Sequence, residues 1–311
     1  MSSLHISLFG KLRVKLDGKM LVGFEASKVQ ELLCYLLLHR DRPHPRETLA
    51  GLLWGETSTA QSKKYLRQTL WQLQSALDSQ VEQGSDRLLL VENDWVHLDS
   101  GSGMWLDVAV FERAFARVQS LPGQLMDADK ARDVETAAHL YESDLLEGWY
   151  HDWCLYERER LQNIYLAMLD KLMCYCEAHH QHEMGLVWGA QIIRYDRARE
   201  RTHRHMMRLQ YLLGDRTAAL RQYERCVAAL KEELGVQPDK STAALYEQIK
   251  AGQVASEPGS GAAVDPLSDA APASMSQLLV RLKHLGTTLT DLQRQIQQDI
   301  RAVELSLNDQ R

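Results

Sequence analysis

The first stretch of the chain alternates. Leu4, Ile6 and Leu8 fall on one side, with His5 and Ser7 on the other. Leu12, Val14 and Leu16 repeat this against Lys11, Arg13 and Lys15. A period of two marks strands with one buried face. Phe9-Gly10 separates the two runs, Asp17-Gly18 is a hairpin-turn dipeptide, and Met20–Val22 supplies a third short run, so a small antiparallel sheet is expected. The period then lengthens. Val29, Leu32, Leu33, Leu36 and Leu37 recur at helical spacing across Ser27–His39, and Arg46–Trp54 forms a second, short helix after two prolines. A third helix opens after Ser58, where Ser58 and Gln61 have the form of a capping box. It carries Leu66, Leu70, Leu73 and Leu77 as an apolar stripe. Leu88–Val91 and Trp95–Leu98 flank Asn93-Asp94 as a closing hairpin.

From Trp105 onward the pattern is helical, with amphipathic segments at Asp107–Phe115 and Ala131–Glu142. Gly214-Asp215, Ala219, Tyr223 and Pro238 have the spacing of the second half of a tetratricopeptide (TPR) unit, and Leu186, Ala190 and Ile193 form a weaker copy. The alternative is an irregular helical bundle; either way this region is all-α. Residues 251–274 are rich in Ala, Gly, Ser and Pro and read as a flexible linker. Beyond it, Met275, Leu278, Leu282, Leu285, Leu289, Leu292 and Ile296 alternate spacings of three and four, a heptad seam, and Ile300, Val303 and Leu307 continue it after a stutter. One helix cannot bury such a seam alone. The expected use of Leu278, Leu282, Leu285, Leu289, Leu292 and Ile296 is homodimerisation; the alternative is docking onto another protein or back onto the helical region. The fold class is therefore mainly α, in four parts: 1–100, a winged helix-turn-helix with its antiparallel sheet; 105–250, a TPR-like domain; 251–274, a linker; and 275–307, a coiled-coil helix.

Sheet, three helices and hairpin is the order of elements in a winged helix-turn-helix. Leu8-Phe9-Gly10, the Lys28–Leu38 helix, Leu52-Leu53-Trp54-Gly55-Glu56 and the Leu66–Leu77 stripe resemble the DNA-binding domain of the OmpR/PhoB type, in the version found in the SARP family of bacterial transcription activators. Asp144-Leu145-Leu146-Glu147-Gly148-Trp149, Asp152-Trp153, Glu157-Arg158-Glu159-Arg160-Leu161 and Glu233-Leu234-Gly235-Val236-Gln237-Pro238 resemble the bacterial transcriptional activation domain that follows it in that family. The resemblance covers about residues 4–250 and leaves the heptad tail outside. It implies a promoter-DNA-binding activator. It also implies that the turn Gly55–Thr59 corresponds to the place where such proteins can meet RNA polymerase. Where family members often carry arginine, this chain has Gln72 and Gln74.

Composition and charge sharpen the reading. Lys and Arg number 36 and Asp and Glu 42, so the whole chain carries −6. Residues 1–100 hold 12 of each sign and are neutral. The charge is segregated: Thr57–Leu77 contains no acidic residue but has Lys63, Lys64 and Arg67. On a helix whose leucines face inward, Lys64, Gln68, Trp71 and Ser75 point outward, Gln61, Arg67 and Gln72 flank them, and Lys63 lies nearer the core edge. Amides for base edges, cations for phosphates and no carboxylate nearby is what a helix in the major groove requires. Gln68 and Gln72 suit adenine, and Arg67 or Lys64 suits guanine or phosphate. Arg87, at the base of the hairpin, is the expected wing contact, because the hairpin tip Glu92-Asn93-Asp94 is acidic.

Other functions find no support. There is no G-x-x-x-x-G-K-[ST], G-x-S-x-G, H-E-x-x-H or dinucleotide fingerprint, so neither catalysis nor a cofactor is expected. Cys34, Cys154, Cys174, Cys176 and Cys226 are odd in number and scattered, as buried thiols of a reducing cytosol are. His179, His180, His182, His203 and His205 are expected to be solvated helix-end residues rather than metal ligands. No run approaches a membrane span and no signal peptide is apparent, so a cytoplasmic protein is expected. A rival of another class is a helical-repeat interaction scaffold whose winged helix has weak or lost DNA binding.

Overall fold

A computed structural model describes residues 4–21, 26–78, 88–99 and 104–253. Arg87, the Ala/Gly/Ser/Pro segment from 254 and the heptad residues Leu278, Leu282, Leu285, Leu289, Leu292 and Ile296 lie outside the described residues. Residues 1–254 form one compact unit.

The alternating runs become strands β1 (Leu4–Ser7), β2 (Arg13–Leu16) and β3 (Lys19–Met20), paired antiparallel in sequence. Asp17 and Gly18 take positive φ at the β2–β3 turn, which a tight hairpin of this kind demands. Helices α1 (Ser27–Leu38), α2 (Arg46–Trp54) and α3 (Thr59–Asp78) follow with the expected bounds, give or take a residue. Between α1 and α2, His44–Pro45 forms a short strand, β4. It pairs with the closing hairpin β5 (Leu89–Val91) and β6 (Trp95–Leu98) in a three-stranded sheet, β4-β6-β5.

The expected helical start at Trp105 is corrected. Met104–Leu106 is a strand, β7, that adds parallel to β1 and completes a sheet of order β3-β2-β1-β7. His5 lies opposite Trp105 and their rings stack at 5.3 Å. The helical region begins one residue later with α4 (Asp107–Val118). A three-residue Met-Trp-Leu strand leaves no alternation long enough to detect, whereas the helix behind it has a strong apolar stripe.

Then come α5 (Ala128–Ala138), the long α6 (Asp152–Ala178), α7 (His182–Tyr195), α8 (Glu200–Leu212), α9 (Arg216–Glu233) and α10 (Lys240–Ala251). Each packs on the next, and α10 also packs back on α8. At the TPR-like turn, Gly214 adopts φ +81°, Asp215 caps α9 by accepting from the Ala218 amide, and Ala219 is fully buried. Tyr223 stacks on Tyr246 of α10 at 4.2 Å. The weaker copy on α7 is shifted. The buried line is Gly185, Trp188, Gly189 and Ile192, while Ala190 is exposed and Leu186 and Ile193 are half-buried. A Cβ on Gly185 would stand 2.8 Å from Leu209 Cδ1, and one on Gly189 2.8 Å from Met206 Cγ, so α8 comes close because these positions are glycine.

The winged helix and the helical region share one core, and the seam is built from backbone hydrogen bonds. The Asp107 carboxylate accepts from the amides of Leu8 (2.7 Å), Phe9 (3.0 Å) and Val108 (2.7 Å). Residues 144–147 zip onto the same strand end: Gly10 N–H donates to Asp144 O, Leu146 N–H to Leu8 O and Glu147 N–H to Gly10 O, at 2.8–2.9 Å. Arg158 then closes that loop from behind, donating to the carbonyls of Leu145, Leu146 and Trp149. Phe9 sits between Phe111 and Tyr141, and Tyr141 stacks on Tyr165 at 4.3 Å.

A second seam runs along α1. The sequence predicts one buried stripe, but Glu31, Cys34, Tyr35 and Leu38 are buried as well, because the helix is covered on both faces. Glu31, 2% exposed, pairs with Lys28 at 2.7 Å and with His151 at 3.4 Å; Tyr35 meets Trp153 edge-on at 5.6 Å. Arg40, just past α1, reaches Glu112 of α4 at 2.6 Å, and Glu112 also binds Arg160 of α6.

The histidine expectation needs correcting on α8. His203 is 2% exposed, with Nε2 on Arg197 O and Nδ1 on Gln222, and His205 lies 2.6 Å from Glu177 of α6. Burial works to raise the Glu177 pKa, but the hydrogen bond from His205 and the charges of His205 and Arg208 outweigh it and hold the carboxyl below its usual value.

Two stability tests follow from these contacts. Asp107→Ala strands three buried amides and is expected to cost about 3 kcal/mol in urea denaturation, with Asp107→Asn less damaging. Because the Glu177 pKa is lowered in the folded state, its stabilisation is present above the ordinary carboxylate range and is lost as pH falls through the lowered value. The gap in denaturation midpoint between wild type and Glu177→Gln is therefore expected to narrow on acidification from pH 7 to below about 4.5.

Candidate nucleic-acid interface

Helix α3 is held from one side. Ser62, Leu66, Thr69, Leu70, Leu73, Ala76 and Leu77 are buried against α1 and α2. The buried line winds along α3 at helical spacing, so its opposite face is presented whole. Lys63, Lys64, Arg67, Gln68, Trp71 and Ser75 are exposed there, and Gln61, Gln72 and Gln74 are half-buried along its edges. The structure thus brings together eight of the nine residues read from the sequence; the ninth, Arg87, is outside the described residues.

The geometry separates Lys63 from the others. Its Nζ pairs with the Glu47 carboxylate of α2, and that bond holds the Glu47 pKa below its ordinary value. Lys64 and Arg67 have no carboxylate partner among the described residues. Only the three-dimensional turn between α2 and α3 brings Glu47 to Lys63, sixteen positions away. No spacing rule in the sequence signals that contact.

The hairpin β5–β6 packs on α1 through β6 and has a fixed tip. Glu92 N–H donates to Trp95 O across the turn. Arg46, the first residue of α2, binds the tip twice: its amide donates to Asp94 O at 2.9 Å and its guanidinium to Glu92 O at 3.2 Å. Sequence reasoning missed Arg46. Its role depends on β4 pairing with β6, and a two-residue strand ending in proline gives no periodic signal. The side chains of Glu92, Asn93 and Asp94 are exposed, so the tip is acidic in the structure as in the sequence.

No group of three or more His, Cys, Asp or Glu is placed to hold a metal ion among the described residues, and no described helix is long and apolar enough to cross a membrane. All five cysteines are free, four of them buried, and burial raises their thiol pKa values.

The family model of the bacterial transcriptional activator domain matches residues 106–250. The match begins at the last residue of β7 and ends within α10, so it spans the helical region that carries the Asp144–Trp149 loop and Arg158. Residues 106–250 therefore form a bacterial transcriptional activator domain. Among solved structures, the chain is similar in fold to Mycobacterium tuberculosis EmbR in complex with a low-affinity phosphopeptide. That likeness has a TM-score of 0.63 and 18% identity, over 82% of this chain and 67% of that one. No curated protein sequence matches.

Proposed function

We propose that this SARP-type regulator binds double-stranded promoter DNA through α3 and the wing, and that it activates transcription by contacting RNA polymerase or an effector protein. The carrying observation is the exposed face of α3, acid-free from Thr59 to Leu77, with Lys64 and Arg67 unpaired by carboxylates among the described residues and Gln68, Trp71, Gln72 and Ser75 between and beside them. A helix of this kind fits the major groove, where amide and guanidinium side chains meet base edges and cations meet phosphate. Lys63 is a reserve contact, released only if phosphate competes with Glu47. Arg87 is the wing contact in this reading.

The activator domain is the rigid mount. The seams at Asp107, Arg158 and Glu31 fix α3 relative to α6–α10, so a partner bound to the helical region is held in a set geometry to the DNA. The heptad tail pairs two chains through Leu278, Leu282, Leu285, Leu289, Leu292 and Ile296. Two linked reading modules raise apparent affinity through effective concentration. The regulator acts in the bacterial cytoplasm, with no cofactor in the mechanism.

The test is DNA binding by the full chain across a salt series. Affinity is expected to fall with log salt at about −0.9 per phosphate neutralised, and Lys64→Ala and Arg67→Ala are each expected to weaken binding and flatten that slope by about 0.9 where they contact phosphate. Glu47→Gln, which frees Lys63, is expected to steepen it. Binding that ignores both cation substitutions contradicts the α3 assignment, and no salt-dependent binding at all favours the scaffold reading that the acidic wing tip motivates.

A further inference from the structure

Trp71 is anomalous on α3. It is 67% exposed, and among the described residues it stacks on no ring and lies under no other element. It does not pack against the helical domain. An exposed indole leaves a large apolar area in water, which is worth burying on a partner. Its neighbours say which partner. At about 100° per residue, Lys64 lies within about 20° of the same direction two turns back, Arg67 and Ser75 within about 40°, and Gln68 within about 60°. No acid occurs from Thr57 to Leu77. The indole therefore stands on the crest of a cationic and amide ridge, which matches a groove walled by phosphate and repels a basic protein surface.

We propose that Trp71 is a specificity-determining residue that reads a thymine, its ring packing on the C5-methyl group in the major groove; this rests on the DNA-binding reading above. The floor of the major groove is a pattern of hydrogen-bond donors and acceptors, and the thymine methyl is the apolar feature that interrupts it. A bulky apolar side chain at the crest of the inserted helix reaches that floor first. Gln68, one turn earlier on the same ridge, carries the amide that pairs with the N6 and N7 of adenine. The two side chains together suit a site in which an adenine and a thymine lie close along the groove.

The experiment uses the full chain and random-sequence duplexes. A selected duplex is resynthesised with each thymine replaced in turn by deoxyuridine, which removes only the methyl group. Binding of each duplex is measured for wild type, Trp71→Phe and Trp71→Ala. At one thymine in each bound half-site, methyl removal is expected to weaken wild type about fourfold. It is expected to leave Trp71→Ala unaffected and to weaken Trp71→Phe by less than wild type. Since Trp71 is open to solvent, the variants are expected to keep the wild-type far-ultraviolet circular dichroism. Uniform indifference to deoxyuridine overturns the proposal, as does equal sensitivity in wild type and Trp71→Ala. If wild type selects no sequence, the DNA-binding reading itself fails and the proposal falls with it; a duplex that is selected but read without Trp71 refutes the proposal alone.

Discussion

A single buried carboxylate holds the two halves of this regulator in one frame. Asp107 begins α4, yet it accepts from the amides of Leu8 and Phe9 at the end of β1 as well as from Val108. Burial raises its pKa, and the three backbone N–H groups oppose that rise. An unpaired charge at 3% exposure would be prohibitive; a charge with three donors becomes a fixed joint. Around it, the loop 144–147 pairs with Leu8–Gly10, and Arg158 satisfies the carbonyls that the loop leaves over. Strand β7 lies between the closing hairpin and Asp107, so the joint also fixes where the wing ends and the activator domain starts.

The consequence for function is geometric. A DNA-reading helix on a loose linker would transmit nothing about its orientation. Here α1 is clamped between the α3 packing face and the residues Glu31, Tyr35 and Arg40 that grip the activator domain. A rotation of α3 must disturb α1, and α1 cannot shift without breaking the Glu31–His151 and Arg40–Glu112 pairs. The TPR-like helices then extend this frame through close contacts at Gly185 and Gly189. The described residues are in this sense a single lever, with the exposed face of α3 at one place and the helical domain rigidly joined to it.

Much of this was legible in the sequence, for identifiable reasons. The α2 bounds follow from Pro45 and the short apolar run to Trp54, and the α3 face follows from four leucines at regular spacing. What escaped was short, non-periodic or dependent on tertiary contact. Strand β7 has three residues and no alternation. Gly185 and Gly189 weigh nothing in an apolar count, so the sequence pattern puts the α7 stripe on Leu186, Ala190 and Ile193 instead. Glu31 and His203 look like surface residues until Lys28 and His151, or Gln222 and the Arg197 carbonyl, surround them. Lys63 looks equivalent to Lys64 until Glu47 claims it.

The central claim is that α3, carried on a rigid activator-domain frame, is the surface that meets DNA. Hydrogen exchange of the full chain, followed peptide by peptide with and without a duplex selected from random sequence, tests it most directly. The account expects added protection on residues 61–75 and the wing. It also expects the amides of Leu8, Phe9 and Leu146 to be strongly protected in both states, since they are already bonded within the frame. Protection that appears elsewhere while 61–75 exchanges unchanged, or rapid exchange at Leu8 and Phe9 in the free protein, would contradict it.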